Sequence, residues 1–288
     1  MSSLESLSTQ ERSAFIAAAF KQACLDELSA LKPGNVHIYA DGHGMVVQDF
    51  IKSAEVASAV IAQPYLSVGQ RIQAAVEATW QAVGCNTNLG IILLAAPIIQ
   101  AAFSDIPDDL RSRLQSVLNE LTVDDAKLAY QAIQRASPAG LGRSEYHDVS
   151  LEPTVSLLAG MQEAQQRDLI ARQYANGYAD IFEFGISRYH QTLTRWERPG
   201  WATTSLYLGY LAQFNDSHIA RKYSDEVADS VRQEAGVHDL ALLALENPKP
   251  YLRELLQFDV KLKERGLNPG TSADMTVGSL LAIALNVT

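Results

Sequence analysis

Cysteine and long apolar runs are scarce in this sequence, and their scarcity excludes several classes of protein. The 288 residues include two cysteines, Cys24 and Cys85, which lie far apart and lack the spacing of metal ligands. A disulfide framework is therefore excluded. The longest apolar stretch, residues 89–103, is interrupted by a proline and a glutamine and is too short to span a membrane. Residues 1–8 are polar and lack the apolar centre of a secretory signal, so we expect a soluble cytoplasmic protein.

Basic residues are also fewer than acidic residues. Lysine and arginine total 23 against 33 aspartate and glutamate residues, which gives a formal net charge of −10. A chain of this charge is repelled by nucleic-acid backbones and by anionic lipid surfaces, so we expect neither a nucleic-acid partner nor a membrane partner. An anionic small molecule would need a local group of cations, or a metal ion, to offset this field.

Patterns typical of β-strands are nearly absent. Outside residues 35–40, apolar residues recur with helical period along most of the chain. Ser8 and Glu11 have the spacing of a capping box, and Pro33-Gly34 ends the helix that follows. We therefore predict one all-α domain over residues 1–288, with its helices around buried central hairpins. After the first helix, the predicted helices cover residues 48–63, 68–83, 88–103, 107–121, 123–136, 152–167, 168–196, 201–214, 217–222, 225–234, 237–245, 248–265 and 272–286.

One polar segment, residues 84–90, lies between the amphipathic helix at 68–83 and an apolar run at 91–96. A polar turn that leads into a buried helix exposes the first N–H groups of that helix, which attract phosphate or carboxylate. The flanking glycines let a ligand approach the backbone. Asn86, Thr87 and Asn88 are therefore candidates for substrate binding. The same pattern also fits an ordinary cap between two core helices.

Three further loops place polar side chains between apolar helices. Their candidate substrate-binding and catalytic residues are Lys32, Asn35 and His43 in the first loop, Asp216, His218 and Arg221 in the second, and Ser272 and Asp274 in the third. Each also fits a simpler role as a helix cap, a dipole-pairing carboxylate or a solvated charge. Residues 140–148 are dense in ionisable groups, yet fit a flexible connector. No phosphate-binding glycine loop, dinucleotide fingerprint, zinc-protease motif or nucleophile elbow is present.

Five short motifs occur in a fixed order along nearly the whole chain. They are Lys32-Pro33-Gly34, Gly42-His43, Gly84-Cys85-Asn86-Thr87-Asn88-Leu89-Gly90, Asp216-Ser217 and Gly270-Thr271-Ser272-Ala273-Asp274-Met275. The series resembles the triphosphoribosyl-dephospho-CoA synthase family. Its members carry, in the same order, Lys-Pro-Gly, Gly-His or Ala-His, a Gly-Val-Asn-Thr-His-Lys-Gly box, Asp-Thr, and Ser-Ala-Asp-Leu at the start of the last helix. Five matches in order are far more specific than any one of them.

The resemblance implies a pentosyl transfer. In the family reaction, ATP loses adenine from its anomeric carbon, and the 2′-hydroxyl of dephospho-CoA attacks that carbon. Such chemistry needs a held polyphosphate, usually through Mg²⁺, stabilisation of an oxocarbenium-like centre, and a base near the acceptor. On this basis we expect metal binding or base catalysis from Asp216 and Asp274, and a phosphate contact and catalytic role from His43. The expected substrate-binding residues are Lys32, Asn35, Glu77, Asn86, Thr87, Asn88, His218, Arg221 and Ser272.

The chain departs from the family at Asn88-Leu89, where the family box has His-Lys. This removes one phosphate partner and one acid or base. In this respect the chain is similar to a divergent branch of the family that is associated with the biosynthesis of tetrahydromethanopterin. Tetrahydromethanopterin is a carrier whose ribose is joined to a sugar-alcohol hydroxyl. We therefore expect ATP or phosphoribosyl pyrophosphate as donor and a cofactor precursor as acceptor.

Two alternatives to the transferase stay open at the level of sequence. One is an ATP-using ligase of the same pathway, and the other is a non-catalytic helical protein that binds nucleotide. The oligomeric state is equally open, because the apolar helix at 201–214 fits packing against either a second copy, in a homodimer, or the core of its own chain.

Overall fold

Helices dominate the structure, as the sequence predicts. The computed structural model describes residues 7–42, 44–138 and 146–286. Over these ranges it has fourteen α-helices and no β-sheet, which confirms the all-α prediction. Extended structure is limited to two isolated bridges, His37 with Ala40 and Gly42 with Met45. The helices are α1 (Thr9–Ser29), α2 (Val47–Ile61), α3 (Val68–Val83), α4 (Leu89–Ala102), α5 (Leu110–Asn119), α6 (Val123–Ala136), α7 (Leu157–Ala164), α8 (Leu169–Asn176), α9 (Ile186–Trp196), α10 (Pro199–Gln213), α11 (Ser217–Lys222), α12 (Asp225–Leu243), α13 (Leu252–Glu264) and α14 (Gly270–Leu285).

Local capping chemistry sets several helix ends where the sequence predicts them. Ser8 Oγ accepts a hydrogen bond from Glu11 N at 3.3 Å, and Ser8 N donates to Glu11 Oε2 at 3.0 Å, so the capping box of α1 is present. Helix α3 has the predicted bounds and ends at Gly84, whose φ of +70° lies in the left-handed region that glycine adopts without strain. These boundaries are predictable because the chemistry that sets them is local.

The helix predicted at residues 168–196 is interrupted in the structure. Helix α8 ends at Asn176, and the next two residues, Gly177 and Tyr178, adopt positive φ values of +64° and +59°. A π-helical segment, Asp180–Gly185, then leads into α9. The Asn176 side chain donates to the Asp180 carboxylate at 3.1 Å, and so bridges the break from α8 to the π-helical segment.

Two more boundaries differ from the prediction. The helices predicted at 225–234 and 237–245 form the single helix α12, because Gly236 is accommodated inside it at a modest cost in backbone entropy. The helix predicted at 248–265 begins instead with a 3-10 turn, Lys249–Tyr251, before α13.

Helix α4 runs through the centre of the protein. Twelve of its fourteen residues are buried, although Pro97 lies inside it. A proline has no N–H, so the carbonyl four residues earlier, that of Leu93, loses its helical partner. Tyr174 supplies the missing donor, since its hydroxyl donates to Leu93 O at 2.6 Å, and Tyr178 donates to Leu94 O at 3.1 Å. The proline is therefore tolerated because α8 and the turn after it cover α4.

Helix α14 lies against α4 and also packs on α1 and α10. Helix α10 is itself buried from Ala202 to Leu211, so this apolar helix packs against the core of its own chain. A homodimer stays a prediction, since it is not needed to cover α10. In the described ranges, no helix has both the length and the apolar character that a bilayer span requires.

A buried aspartate joins the start of α3 to the start of α6. Asp125 Oδ1 accepts from Ser67 Oγ at 2.6 Å and from Gly69 N at 2.8 Å, while Oδ2 accepts from Thr122 Oγ1 at 2.7 Å and Thr122 N at 3.0 Å. Burial alone raises the pKa of Asp125, yet these hydrogen bonds outweigh it and hold the pKa below its usual value. The ionised carboxylate therefore stabilises the junction.

We expect Asp125→Ala to lower the free energy of unfolding by about 3 kcal/mol, because four donors lose their acceptor. The contribution is present above the pKa of an unfolded aspartate, about 3.9, and is lost as pH falls through the lower folded-state pKa. Urea unfolding at about pH 7 and about pH 3 should show the gap from wild type narrowing in acid. The exposed neighbour Asp124→Ala is the control, and an equal gap at both pH values would contradict a role for the charge.

Candidate functional site

A cavity of about 460 Å³ lies where the N-termini of α4 and α14 meet. Its walls come from elements spread over the whole chain, from α1 to α14. Five residues proposed from sequence contribute to the lining: Asn35, Asn86, His218, Arg221 and Asp274. The four polar loops of the sequence therefore each supply at least one side chain to the same cavity.

Asp274 and Gly90 are in close contact at the junction of the two helices. A Cβ on Gly90 would lie 2.0 Å from Asp274 Oδ2 and 2.7 Å from Ile170 Cδ1, so only glycine leaves room for the carboxylate. The carboxylate lies beside the first turn of α4, where the free N–H groups and the helix dipole favour negative charge. Glycine at this position is thus explained by the approach of a functional group to the backbone.

The Asp274 carboxylate forms no hydrogen bond or ion pair within the ranges that the structure describes. Burial raises its pKa well above the usual value, and the nearby negative charges of Asp216 and Glu27 raise it further. A cation bound at this point would offset all three effects. Asp274 is therefore the lining carboxylate best suited to hold a metal ion.

A buried group of polar side chains borders the cavity on the side of α1. Lys32 forms an ion pair with Glu27, and its Nζ donates to Asn35 Oδ1 at 3.1 Å. Asn35 Nδ2 in turn donates to Asn268 Oδ1 at 2.8 Å. Glu27, Asn35 and Asn268 line the cavity, whereas Lys32 lies behind them. Lys32 therefore neutralises Glu27, a lining residue that the sequence analysis did not single out.

In the polar segment before α4, two side chains stabilise the start of the helix and one lines the cavity. Thr87 Oγ1 is 2.6 Å from Ser53 Oγ of α2, and Asn88 Nδ2 donates to Thr79 Oγ1 of α3 at 3.1 Å. These two side chains hold the start of α4 in place. Asn86 Oδ1 accepts from the N–H of residue 89 at 3.1 Å, and Asn86 alone of the three lines the cavity.

Asp216 caps α11 and also fastens the start of α14. Its Oδ1 accepts from His218 N at 3.0 Å and Ile219 N at 3.2 Å, while Oδ2 accepts from Ser272 N at 2.7 Å and Ser272 Oγ at 2.8 Å. Four hydrogen bonds engage both lone pairs of each oxygen, and neither Asp216 nor Ser272 lines the cavity. We therefore propose a positioning role for Asp216 in place of the metal-binding and catalytic roles expected from sequence, and Ser272 contacts Asp216 instead of lining the cavity.

We expect Asp216→Asn to lower the free energy of unfolding by about 3 kcal/mol, because an amide N–H₂ would face the two donors of Ser272. Thermal unfolding, followed by circular dichroism, measures the change. Asp225→Asn, an exposed aspartate in the first turn of α12, is the matched control and should change stability by less than about 0.5 kcal/mol. Unchanged stability with lost activity would restore the metal-binding role.

Another expected residue, Glu77, does not reach the cavity. Glu77 lies on the exposed face of α3, where its carboxylate accepts from Arg135 Nε at 2.9 Å and from Gln81 Nε2 at 3.0 Å. We therefore correct the expectation that Glu77 faces the pocket, since it forms a surface ion pair with α6. His43 lies outside the described residues.

The segment from α6 to α8 supplies much of the lining, which the sequence analysis did not foresee. The contributing residues are Tyr130, Ile133, Pro138, His147, Asp148, Val149, Gly160, Met161, Glu163, Ala164, Arg167, Asp168, Ile170 and Ala171. His147 and Asp148, in the described part of the loop interpreted as a flexible connector, thus line the cavity. The density of ionisable residues around 143–148 is the sequence signal that could have indicated this contact.

The donor set of the cavity fits a Mg²⁺ ion that arrives with its substrate. Within the described ranges, no group of three or more His, Cys, Asp or Glu side chains is arranged to hold a metal ion. Mg²⁺ commonly takes only one or two protein carboxylates and completes its shell with water and substrate phosphates. Asp274, whose carboxylate has no hydrogen-bond partner in that part of the chain, meets this requirement.

Comparison with known proteins identifies the family. The family model for ATP:dephospho-CoA triphosphoribosyl transferase (CitG) matches residues 13–288. The chain belongs to this family. The resemblance stated from the five motifs is therefore confirmed, and the chain is a transferase of the triphosphoribosyl-dephospho-CoA synthase type.

A solved structure supports the same fold for this member of the transferase family. It is a protein from Archaeoglobus fulgidus whose assignment as a triphosphoribosyl-dephospho-CoA synthase is itself provisional. The TM-score is 0.60 and the identity 23%, over 82% of this chain and 95% of the other. At this identity the likeness shows the fold alone. No curated protein matches the chain.

Proposed function

We propose that this transferase moves a phosphorylated ribosyl group from ATP, or from phosphoribosyl pyrophosphate, to a hydroxyl of a cofactor precursor. The observation that carries the proposal is the Asp274 carboxylate, which lies beside the N-terminus of α4, faces a cavity and has no partner in the described ranges. A cavity of about 460 Å³ has the size of a small-molecule site. The family match supplies the reaction class.

The bond changes of the proposed reaction balance within this cavity. With ATP as donor, the bond from the anomeric carbon to adenine breaks, and adenine leaves with the electron pair and takes up a proton. With phosphoribosyl pyrophosphate, the bond from the anomeric carbon to the pyrophosphate oxygen breaks instead, and pyrophosphate leaves with the electron pair. The acceptor hydroxyl oxygen bonds to the anomeric carbon and releases its proton. Mg²⁺, when bound, neutralises the polyphosphate and orients it.

The lining residues have distinct proposed roles. Asp274 would hold the metal ion, and its negative charge would help to stabilise an oxocarbenium-like carbon bound in the cavity. Glu27, whose pKa is raised by burial, fits the base that accepts the proton of the acceptor hydroxyl. Asn86 lines the cavity at the start of α4, where it can contact a ribose hydroxyl. Asn35 and Lys32 fix the Glu27 carboxylate in its position.

The acceptor is proposed from the departure at residues 88 and 89. Leu89 lines the cavity where the family pattern has lysine, and Asn88 is directed to Thr79. An apolar contact thus replaces a cation, which favours an acceptor with less phosphate than dephospho-CoA. The sugar-alcohol hydroxyl of a tetrahydromethanopterin precursor is such an acceptor, and we propose it beside dephospho-CoA.

Product analysis tests the proposal directly. Purified protein is incubated with Mg²⁺ and either ATP or phosphoribosyl pyrophosphate, together with each acceptor, and the products are separated by liquid chromatography and mass spectrometry. We expect free adenine from ATP and a ribosylated acceptor, and no product when Mg²⁺ is chelated. Release of ADP or AMP would instead indicate the ligase. Nucleotide-induced melting shifts without any turnover would indicate a binding protein.

A further inference from the structure

Two arginine–carboxylate pairs face the same cavity. Arg221 Nη1 lies 2.5 Å from Asp168 Oδ2, and Arg167 forms a fork with Glu163, with Nη2 at 2.5 Å from Oε2 and Nη1 at 3.0 Å from Oε1. All four side chains line the cavity, and neither pair is fully exposed. Surface pairs of this type contribute little to stability, so their position at the cavity calls for another explanation.

Arg221 has a hydrogen-bond donor for which the described ranges supply no acceptor. Its Nε is buried and forms no hydrogen bond in the described ranges, although a buried guanidinium nitrogen normally has an acceptor. A guanidinium offers five N–H donors in a planar fork, which matches the oxygens of a phosphate. When Arg221 turns away from Asp168, Nε can complete its contacts with a ligand oxygen.

Asp168 is fixed by the backbone at the start of α8. Asp168 caps α8, since Oδ1 accepts from Ile170 N at 2.9 Å and from Ala171 N at 3.0 Å. The adjacent N–H of Leu169 donates to Ser217 Oγ at 2.7 Å, which ties this cap to the start of α11. The carboxylate therefore has a set position, and separation of the pair requires rotation of the longer Arg221 side chain only.

The charges of this group act on one another and on Asp274. The pKa of Arg167 is raised, mainly by its hydrogen bond to Glu163 and further by the charge of Asp168. Arg221 opposes the upward shift of the pKa of Asp274. Both arginines and the proposed metal-binding carboxylate are thus in the same electrostatic neighbourhood.

We propose that Arg167 and Arg221 form an anion subsite for the polyphosphate of the donor, and that Asp168 is a counter-ion which phosphate displaces from Arg221. Asp168 then keeps the empty site neutral, and the incoming phosphate replaces one anion by another. This inference rests on the proposed function only in naming a polyphosphate donor. It explains how a chain of net charge −10 accepts an anion, because two arginine side chains, each paired with a carboxylate in the empty cavity, can bind the phosphate.

Binding of inorganic tripolyphosphate to the full chain tests the subsite. The titration is done calorimetrically in EDTA, so that carboxylates do not contribute through a metal ion. We expect Arg221→Gln and Arg167→Gln each to weaken binding by about tenfold or more. Arg111→Gln is the matched control, since Arg111 also pairs with a carboxylate, Glu183 at 2.6 Å, but lies outside the cavity. Unchanged affinity in both cavity variants would overturn the proposal.

Asp168→Asn gives a result that a purely structural role cannot. Asparagine caps a helix about as well as aspartate, so α8 is retained. Removal of the competing anion should make tripolyphosphate bind several-fold more tightly. Weaker or equal binding, with the variant folded by circular dichroism, would show that Asp168 is not a displaceable counter-ion and would overturn the proposal.

The failures of this inference and of the proposed function are distinguishable. Tripolyphosphate affinities that follow these expectations, in a protein that releases no adenine, support the subsite and contradict the transfer. Adenine release with wild-type tripolyphosphate affinity in Arg167→Gln and Arg221→Gln supports the transfer and contradicts the subsite.

Discussion

Asp274→Asn is expected to lower the rate of adenine release by at least about a hundredfold, because the amide cannot balance positive charge on Mg²⁺ or on the anomeric carbon. The same change should leave the melting temperature equal or higher. Asn has the shape of Asp, and the half-buried carboxylate, which has no partner in the described ranges and a raised pKa, is costly to keep ionised. Loss of activity without loss of stability is typical of a functional group.

Initial rates of adenine release, together with thermal unfolding, measure both halves of this expectation. Asp225→Asn, on the exposed first turn of α12, is the control and should alter neither quantity appreciably. A rate close to that of wild type in Asp274→Asn would remove this residue from the catalytic machinery. A large drop in melting temperature would show instead that the carboxylate holds α14 against α4.

Gly90→Ala is expected to have an effect of similar size for a steric reason. The new Cβ would lie 2.0 Å from Asp274 Oδ2, so the carboxylate must move by about 1 Å. A displacement of this size typically costs about a hundredfold in rate. Overpacking against Asp274 and Ile170 should also lower the free energy of unfolding by about 1–3 kcal/mol.

A matched glycine and a double-mutant cycle isolate the cause. Gly236 lies inside α12, and a Cβ added there would meet no atom within 4 Å, so Gly236→Ala should be neutral or stabilising by up to about 1 kcal/mol. In an Asp274→Ala background the main clash is gone, and adding Gly90→Ala should cost much less stability than in wild type. Equal costs in the two backgrounds would mean that Gly90 is required for a reason other than Asp274.

Much of the helical architecture can be predicted from local sequence signals. The capping box at Ser8 and the bounds of α3 are present because caps and amphipathic period act over a few residues. The break at Gly177 and Tyr178 is not predictable in this way, since a positive φ at tyrosine is stabilised by the burial of its ring and the bond of its hydroxyl to α4. The hydroxyl bond reaches Leu94, more than eighty positions away in the sequence.

For the candidate site, the sequence predicts which loops contribute but not what each side chain does. The polar loops that contribute to the cavity could be selected from sequence, because each lies between helices with apolar faces, and packing of those faces brings the loop toward the interior. The roles of the individual side chains could not be predicted from sequence. Asp216 and Asp274 are both acidic residues near helix starts, yet one is saturated by four hydrogen bonds and the other has no partner in the described ranges.

The motifs in their order indicated the family, and the helical period indicated the all-α fold, since each motif and each helical repeat is made by residues close together in the chain. Only the tertiary structure decided which carboxylate is left for a ligand and that the segment from α6 to α8 closes the cavity. The physical reason is that a hydrogen-bond acceptor becomes structural or functional according to the donors brought to it. Those donors belong to helices distant in sequence, as Ser272 is from Asp216 and Ser217 from the start of α8.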